Sequence, residues 1–280
     1  MSQTDYSSQQ ITVISATDGP KHYWRELWRF KELFFLLAWR DLLVRYKQTM
    51  IGVAWAVLRP LITVMVFTFV FGKIAKLPSG DTPYALFVFA GMLPWQFFSS
   101  ALAEAGNSVV SNANLVTKIY FPRLLLPLSS ILVCFVDALI AGILFIGLIF
   151  WYGVVPDWHI VFLPVFILWL ALITLGLSLW IAALNVTYRD FRYLVPFMLQ
   201  LGMYVSPVGF SSAIIPEKWL WVFYLNPVAG VIDGFRWSIF GYHETYNFML
   251  IIPSLVFTLL LLVYGLVFFR STEASFADGI

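Results

Sequence analysis

Charge, cysteine and histidine are all scarce in this chain of 280 residues, and each scarcity closes off a class of function. Only 11% of the residues are Asp, Glu, Lys or Arg, and the net charge of +2 comes from 17 Lys and Arg that are not pooled in one stripe, which argues against a nucleic-acid partner. The single cysteine, Cys134, lies in an apolar block and reads as a small core residue, so neither a disulfide framework nor a thiolate metal site is available. His22, His159 and His243 are isolated from one another and lack ligand-like spacing. A nucleotide-binding loop is missing too: the only Gly-Lys pair, Gly72-Lys73, is followed by Ile74 and has Phe67 where such a loop needs glycine. No metal or cofactor is expected in this chain, no residue is assigned covalent chemistry, and if ATP powers its work, another chain binds the ATP. The first 23 residues are polar and carry no apolar core after a basic start, so a cleavable signal peptide is not expected and the amino terminus should stay in the mature protein.

Apolar residues fill the space that charge leaves. They make up 61% of the chain, against roughly 45–50% in soluble domains. Six blocks reach the roughly 20 residues that a helix needs to cross about 30 Å of hydrocarbon. They run Gly52 to Gly72, Tyr84 to Gly106, Leu124 to Phe150, Ile160 to Val186, Leu194 to Ile215 and Tyr246 to Phe269. Counted on alternate sides, twelve Lys and Arg fall on the side of the amino terminus and four on the other (Lys73, Lys76, Lys218 and Arg236), with Arg59 inside the first span. The positive-inside bias then puts both termini in the cytoplasm. Trp219 to Gly241 is apolar enough for a seventh span, but Asn226-Pro227, Gly230, Asp233, Gly234 and Arg236 interrupt it, and two short re-entrant pieces in the outer leaflet fit better. The expected fold is an all-α polytopic membrane protein of six spans, with re-entrant outer helices between spans five and six. It comprises a polar segment 1–23, a membrane domain 24–269 and a cytoplasmic tail 270–280.

Four features could carry work. Trp24 to Ala38 places Trp24, Leu27, Trp28 and Phe34 or Phe35 at helical spacing among charges, which is the pattern of an interfacial helix serving as a surface anchor or a partner contact. Asn107 to Arg123 offers Ser111 or Asn112 as caps, then Leu115, Val116, Ile119 and Tyr120 on one face, closed by Pro122. A short helix held between two spans transmits force to both, or rests on the bilayer; spacing alone leaves both readings open. Asp137, near the middle of its block, has no acid or His partner evident at similar depth and reads as a hydrogen-bonded structural group, while Arg59 can snorkel to the cytoplasmic face. Eight aromatics lie between Trp219 and Tyr242, among them Trp221, Tyr224 and Trp237. They suit the aromatic belt at the outer interface, or flat faces lining the exit for a sugar chain.

Several spaced motifs also resemble those of one family. Arg45-Tyr46-Lys47 precedes Gly52, Trp55 and Pro60; Asn114-Leu115-Val116 is joined by Lys118 and Phe121-Pro122-Arg123. Tyr188-Arg189-Asp190, Ser206-Pro207 and Leu225-Asn226-Pro227 with Arg236 follow in order. Together, over about Trp24 to Phe269, they resemble the membrane subunit of ABC type-2 polysaccharide exporters, the permeases for lipid-linked O-antigen, capsule and teichoic acid chains. The resemblance implies a homodimer forming a channel in the bacterial inner membrane, with two copies of a separate ATP-binding subunit, carrying ATP and Mg, docked beneath it to move an undecaprenyl-linked glycan outward. It implies ATPase coupling through Asn112 to Phe121, with Asn112, Leu115, Val116, Lys118, Ile119 and Tyr120 as contact residues. The loop with Arg189 and Asp190 and the amino-terminal helix would be secondary contacts. On the glycan reading, Trp219, Trp221, Tyr224, Trp237 and Tyr242 line the channel or its exit. The alternatives are a type-2 exporter of another lipid or drug, an ion-coupled secondary transporter using Asp137, and a membrane enzyme, for which the outer loops offer only Asp157, Glu217, Asp233 and Glu244.

Overall fold

A backbone in hydrocarbon has no water to bond with, so a long apolar block is driven into helix, where it satisfies its own N–H and C=O groups. A computed structural model, which describes residues 20–47, 52–80, 82–241 and 248–276, is helical, with no β-strand among the described residues. The helices are α1 (Pro20–Arg29), α2 (Lys31–Lys47), α3 (Gly52–Phe67), α4 (Tyr84–Ser111), α5 (Ala113–Lys118), α6 (Leu125–Trp151), α7 (Leu163–Thr187), α8 (Phe191–Val205), α9 (Glu217–Phe223), α10 (Pro227–Phe240) and α11 (Phe248–Glu273). A π-helical stretch, Thr68–Ile74, prolongs α3, and a 3₁₀ turn, Trp158–Phe162, leads into α7.

Among the described residues, five segments are long and apolar enough to cross a membrane: Val57–Ile74, Tyr84–Ser111, Leu125–Trp151, Trp158–Thr187 and Ile251–Glu273. They correspond to five of the six expected spans; Tyr246, the expected start of the last one, lies outside the described residues. The block Leu194 to Ile215 departs from expectation. Its helix, α8, has 15 residues, about 22 Å of rise against about 30 Å of hydrocarbon. Pro207 is the reason: it pushes the residue before it out of the helical region, and Ser206 is extended at φ −89°, ψ 150°.

Within the bundle α4 is the core helix. In its apolar stretch 72% of residues are buried, against at most 33% in the other four segments. It packs on α6 and α7; α7 packs on α11, and α10 lies across α4 and α7. Two glycines set the α7–α11 crossing, since a Cβ at Gly265 would lie 2.1 Å from the Gly176 carbonyl oxygen and one at Gly176 would lie 2.7 Å from the Leu262 Cα. Close approach through small residues is how helices associate where lipid removes the hydrophobic drive between them. Trp169 Nε1 donates to Thr258 Oγ1 at 2.8 Å across the same crossing.

The broken segment has local causes. Asn226 caps α10 by accepting from the Val228 N–H at 3.2 Å, Pro227 starts the helix, and Gly241 ends it at φ +70°, a conformation glycine adopts without cost. Two short helices result, as expected for Trp219 to Gly241. The expected interfacial helix runs longer than Trp24 to Ala38, as α1 and α2 separated by a turn at Phe30, and its face divides. Leu27 and Phe34 pack on a cluster around Leu37, Phe121 and Phe269, whereas Trp24, Trp28 and Phe35 stay exposed.

Gly265→Val should lower stability by about 3 kcal/mol, because the intruding group meets backbone that cannot yield. Thermal unfolding in detergent checks this. Gly147→Ala is the control and should not lower the midpoint, since a Cβ there meets nothing within 4 Å and alanine favours the helix.

Candidate functional site

Three features gather at the end of the bundle where α4, α7 and α11 finish. Asn185 Nδ2 donates to the Gly106 carbonyl at 2.8 Å and to Asn107 Oδ1 at 3.2 Å, which puts the α7–α8 loop beside the end of α4. Arg123 N–H donates to Glu273 Oε1 at 2.7 Å and its guanidinium bonds the Glu273 carbonyl, tying the residues after α5 to the end of α11. Tyr23 OH donates to Glu273 Oε2 at 3.0 Å, and Arg270 lies 4.4 Å above the Tyr23 ring, so α1 joins the same cluster. Burial pushes the Tyr23 phenol up, and the Glu273 charge and hydrogen bond add to the rise.

The connection between α4 and α6 is less helical than its pattern predicts. Residues Asn107 to Ser111 still belong to α4, α5 has six residues, and Ile119 is extended at φ −130°, ψ 135°. The expected single face of Leu115, Val116, Ile119 and Tyr120 therefore splits: Val116 is buried and Leu115 half-buried, while Lys118, Ile119 and Tyr120 are exposed. Asn112 occupies the cap position without capping α5. Its side chain donates to the Ser108 carbonyl at 2.8 Å and accepts from Arg40 Nη2 at 2.9 Å, so it links α4 to α2 instead. Arg189 and Asp190 are exposed in the α7–α8 loop, near the same end of the bundle.

Between α2, α3, α4 and α6 lies a cavity of about 310 Å³, lined by Arg45, Tyr46, Trp55, Arg59, Glu104 and Asp137 among others. Arg45 and Glu104 also line a second hollow of about 440 Å³ beside Asn112. Asp137 does have partners in the folded chain: Arg45 pairs with both Asp137 and Glu104, and Tyr46 OH donates to Asp137. Burial raises the Tyr46 phenol's pKa and the bond to Asp137 raises it further. For Arg45, burial works against the charge, but Glu104 and then Asp137 outweigh it and hold the guanidinium ionised. Spacing could not reveal the cluster, because Arg45 and Asp137 are 92 positions apart. Among the described residues no group of three or more His, Cys, Asp or Glu could hold a metal ion.

At the opposite end the aromatic set divides. Trp219 and Trp221 are 55% and 59% exposed, whereas Tyr224 and Trp237 are 2% and 7% exposed. Tyr224 OH donates to Asp233 Oδ2 at 2.9 Å, and Trp237 packs against His159, Phe162 and Phe166. Tyr242 lies outside the described residues. The residue that organises this end is Arg236. Its guanidinium donates to the carbonyls of Phe87, Val208 and Phe210 at 3.2, 2.8 and 3.0 Å and lies 3.7 Å above the Phe87 ring.

A family model described as ABC-2 type transporter matches residues 32–240, from α2 through α10. The chain belongs to the ABC-2 type transporter family. The relatives it is similar to include the O-antigen export system permease protein RfbA of Klebsiella pneumoniae, 30% identical over 249 residues, or 88% of this chain and 94% of that protein. The O-antigen export system permease protein RfbA of Myxococcus xanthus is 28% identical over 258 residues, 91% and 98% of the two chains. The polysialic acid transport protein KpsM of Escherichia coli is 24% identical over 244 residues, 84% and 91%. In this ABC-2 transporter chain the matched region includes the cavity, the α4–α6 connection and Arg236, but stops short of Glu273.

Arg45→Gln should cost about 1–2 kcal/mol, between an exposed and a buried ion pair, because the three charged side chains are 28–42% exposed. A double-mutant cycle with Asp137→Asn, read by thermal unfolding in lipid nanodiscs, checks it: the second substitution should cost less once the first is present.

Proposed function

We propose that the chain is the channel-forming membrane subunit of an ATP-driven exporter of lipid-linked polysaccharide in the bacterial inner membrane. The observation that carries this reading is the near end-to-end match to an O-antigen export permease. The lack of a nucleotide-binding loop supports a separate ATP-binding subunit, carrying ATP and Mg, in two copies beneath a dimer of this chain. Residues 24–269 make up the membrane domain, flanked by the polar segment 1–23 and the tail 270–280, with both termini cytoplasmic as the charge asymmetry requires.

That orientation needs an even number of crossings. In this reading α8 and the irregular residues after it make the sixth together, and α9 and α10 re-enter from the outer side. Irregular backbone is tolerated at membrane depth only where it is buried and bonded. Arg236 supplies two of those bonds, to Val208 and Phe210, and the Asn226 side chain donates to Ser206 Oγ at 2.9 Å.

The cytoplasmic end is then the one that holds α5. Lys118, Ile119 and Tyr120 meet the ATPase, with Arg189 and Asp190 beside them, while Leu115 and Val116 brace the contact from inside and Asn112 passes it to α2. Motion of α5 reaches α11 through Arg123 and Glu273. At the outer end Trp219 and Trp221 are free to meet the glycan, and the buried Tyr224 and Trp237 hold the surrounding helices in place.

The deciding experiment is co-purification. A separate ATPase should copurify, and its removal should stop glycan export in vesicles; full export by this chain without any ATPase overturns the proposal. Lys118→Glu or Tyr120→Ala should impair the coupling of ATP hydrolysis to export at unchanged membrane insertion, measured as glycan exported per ATP hydrolysed. For the outer end, Trp221→Ala should slow export more than it reduces assembled complex. Tyr224→Ala should do the reverse, removing a buried ring and its bond to Asp233, for a loss of about 3–5 kcal/mol in stability.

A further inference from the structure

We infer that the cavity between α2, α3, α4 and α6 is a binding subsite for a sugar-phosphate group, the junction at which a glycan joins its lipid carrier. The inference rests on the export reading for the identity of the cargo, and on the cavity itself for the chemistry.

Arg59 is the first observation. A cation in an apolar block normally finds a partner or reaches water, and Arg59 is exposed at the edge of the cavity. Arg45 has Glu104 and Asp137, the Arg123 guanidinium has the Glu273 backbone carbonyl, and Arg236 has three backbone carbonyls. The Arg59 guanidinium has no hydrogen-bond or ion-pair partner among the described residues, yet it lines the cavity. Arg45 takes both carboxylates of the wall, and Arg59 brings the four charges to neutrality while its own donors stay free for a ligand. A planar guanidinium suits a phosphate, to which it offers paired donors.

The second observation is what stands around it. Trp55 precedes Arg59 by four positions on α3, so the exposed ring and the guanidinium share a helix face and both border the cavity. A flat ring with a negative face attracts the polarised C–H bonds of a sugar. From the facing wall, Gln96, Ser100 and Glu104 recur every four residues along α4. The Gln96 amide and the Ser100 hydroxyl have no hydrogen-bond partner among the described residues, so donors and acceptors stand ready for sugar hydroxyls. A volume of about 310 Å³ admits one phosphorylated sugar but not a polymer. The exposed side chains of Leu58, Ile62 and Met65 on α3 and Phe69 in its π-helical extension give the lipid an apolar path.

The test uses the full chain with its copurified ATPase in nanodiscs, after each variant has matched wild type in unfolding midpoint and complex yield. The probes are polyprenyl diphosphate N-acetylglucosamine and polyprenyl diphosphate without sugar. Arg59→Gln should weaken both by about tenfold or more, as loss of a charge-assisted contact does, and Arg59→Lys should recover part of the loss. Trp55→Ala should weaken only the sugar-bearing probe. Competition by UDP-N-acetylglucosamine would keep the sugar-phosphate site and assign its source to the soluble pool. Competition by phosphatidylglycerol equal to that by polyprenyl diphosphate would make Arg59 a general headgroup anchor and overturn the subsite, as would wild-type affinity in both Arg59→Gln and Trp55→Ala. Export that persists without wild-type binding of either probe removes the subsite alone; binding without export removes the export reading alone.

Discussion

A peptide group held away from water must be bonded inside the chain, and that constraint decides where the helices of this protein can end. Among the described residues, five segments are long and apolar enough to satisfy it as continuous helix. The block Leu194 to Ile215 cannot, because Pro207 stops α8 and interrupts the helical bonding of the residues that follow. Arg236 fills the gap with a single side chain from α10 that bonds two of their carbonyls and one on α4. Five donors in a fixed plane make arginine suited to such a task, where lysine's point charge would not reach all three. The buried α10, the irregular residues after α8 and the core helix α4 are thereby one unit.

The same economy of charge governs the other end. Glu273 accepts from Tyr23 and from the Arg123 backbone, so α1, the α5–α6 connection and α11 meet at one carboxylate. The residues that follow the short α5 are thereby tied to the last helix as well as to their immediate neighbours. Arg45 does similar work elsewhere in the molecule, linking α2 to α4 through Glu104 and to α6 through Asp137. Arg59 differs from these three arginines: it borders the same cavity as Arg45, exposed and without a hydrogen-bond or ion-pair partner among the described residues.

Much of this was legible in the residues. Five spans, the break at Asn226-Pro227 and the helical interface segment follow from apolar run length, proline and cap chemistry, all of which act over a few neighbouring residues. The family likeness was also readable, because its motifs are short and ordered. Where pattern reading fell short, the missing information was long-range. The face proposed for Leu115, Val116, Ile119 and Tyr120 assumed that a helix continued past Lys118, but the chain there turns extended to reach Phe121 and Pro122, which are buried. The aromatics from Trp219 onward looked alike, yet α9 is exposed and α10 is enclosed by α4 and α7.

Composition and local order were thus sufficient to make this a helical membrane protein of the ABC-2 type, since hydrocarbon length, glycine and proline act through nearest neighbours along the chain. Which charges are neutralised, which rings are exposed and where a cavity opens were decided only by folding. Those properties belong to pairs such as Arg45 with Asp137 and Arg236 with Phe87, separated by 92 and 149 positions, and no spacing rule reaches that far.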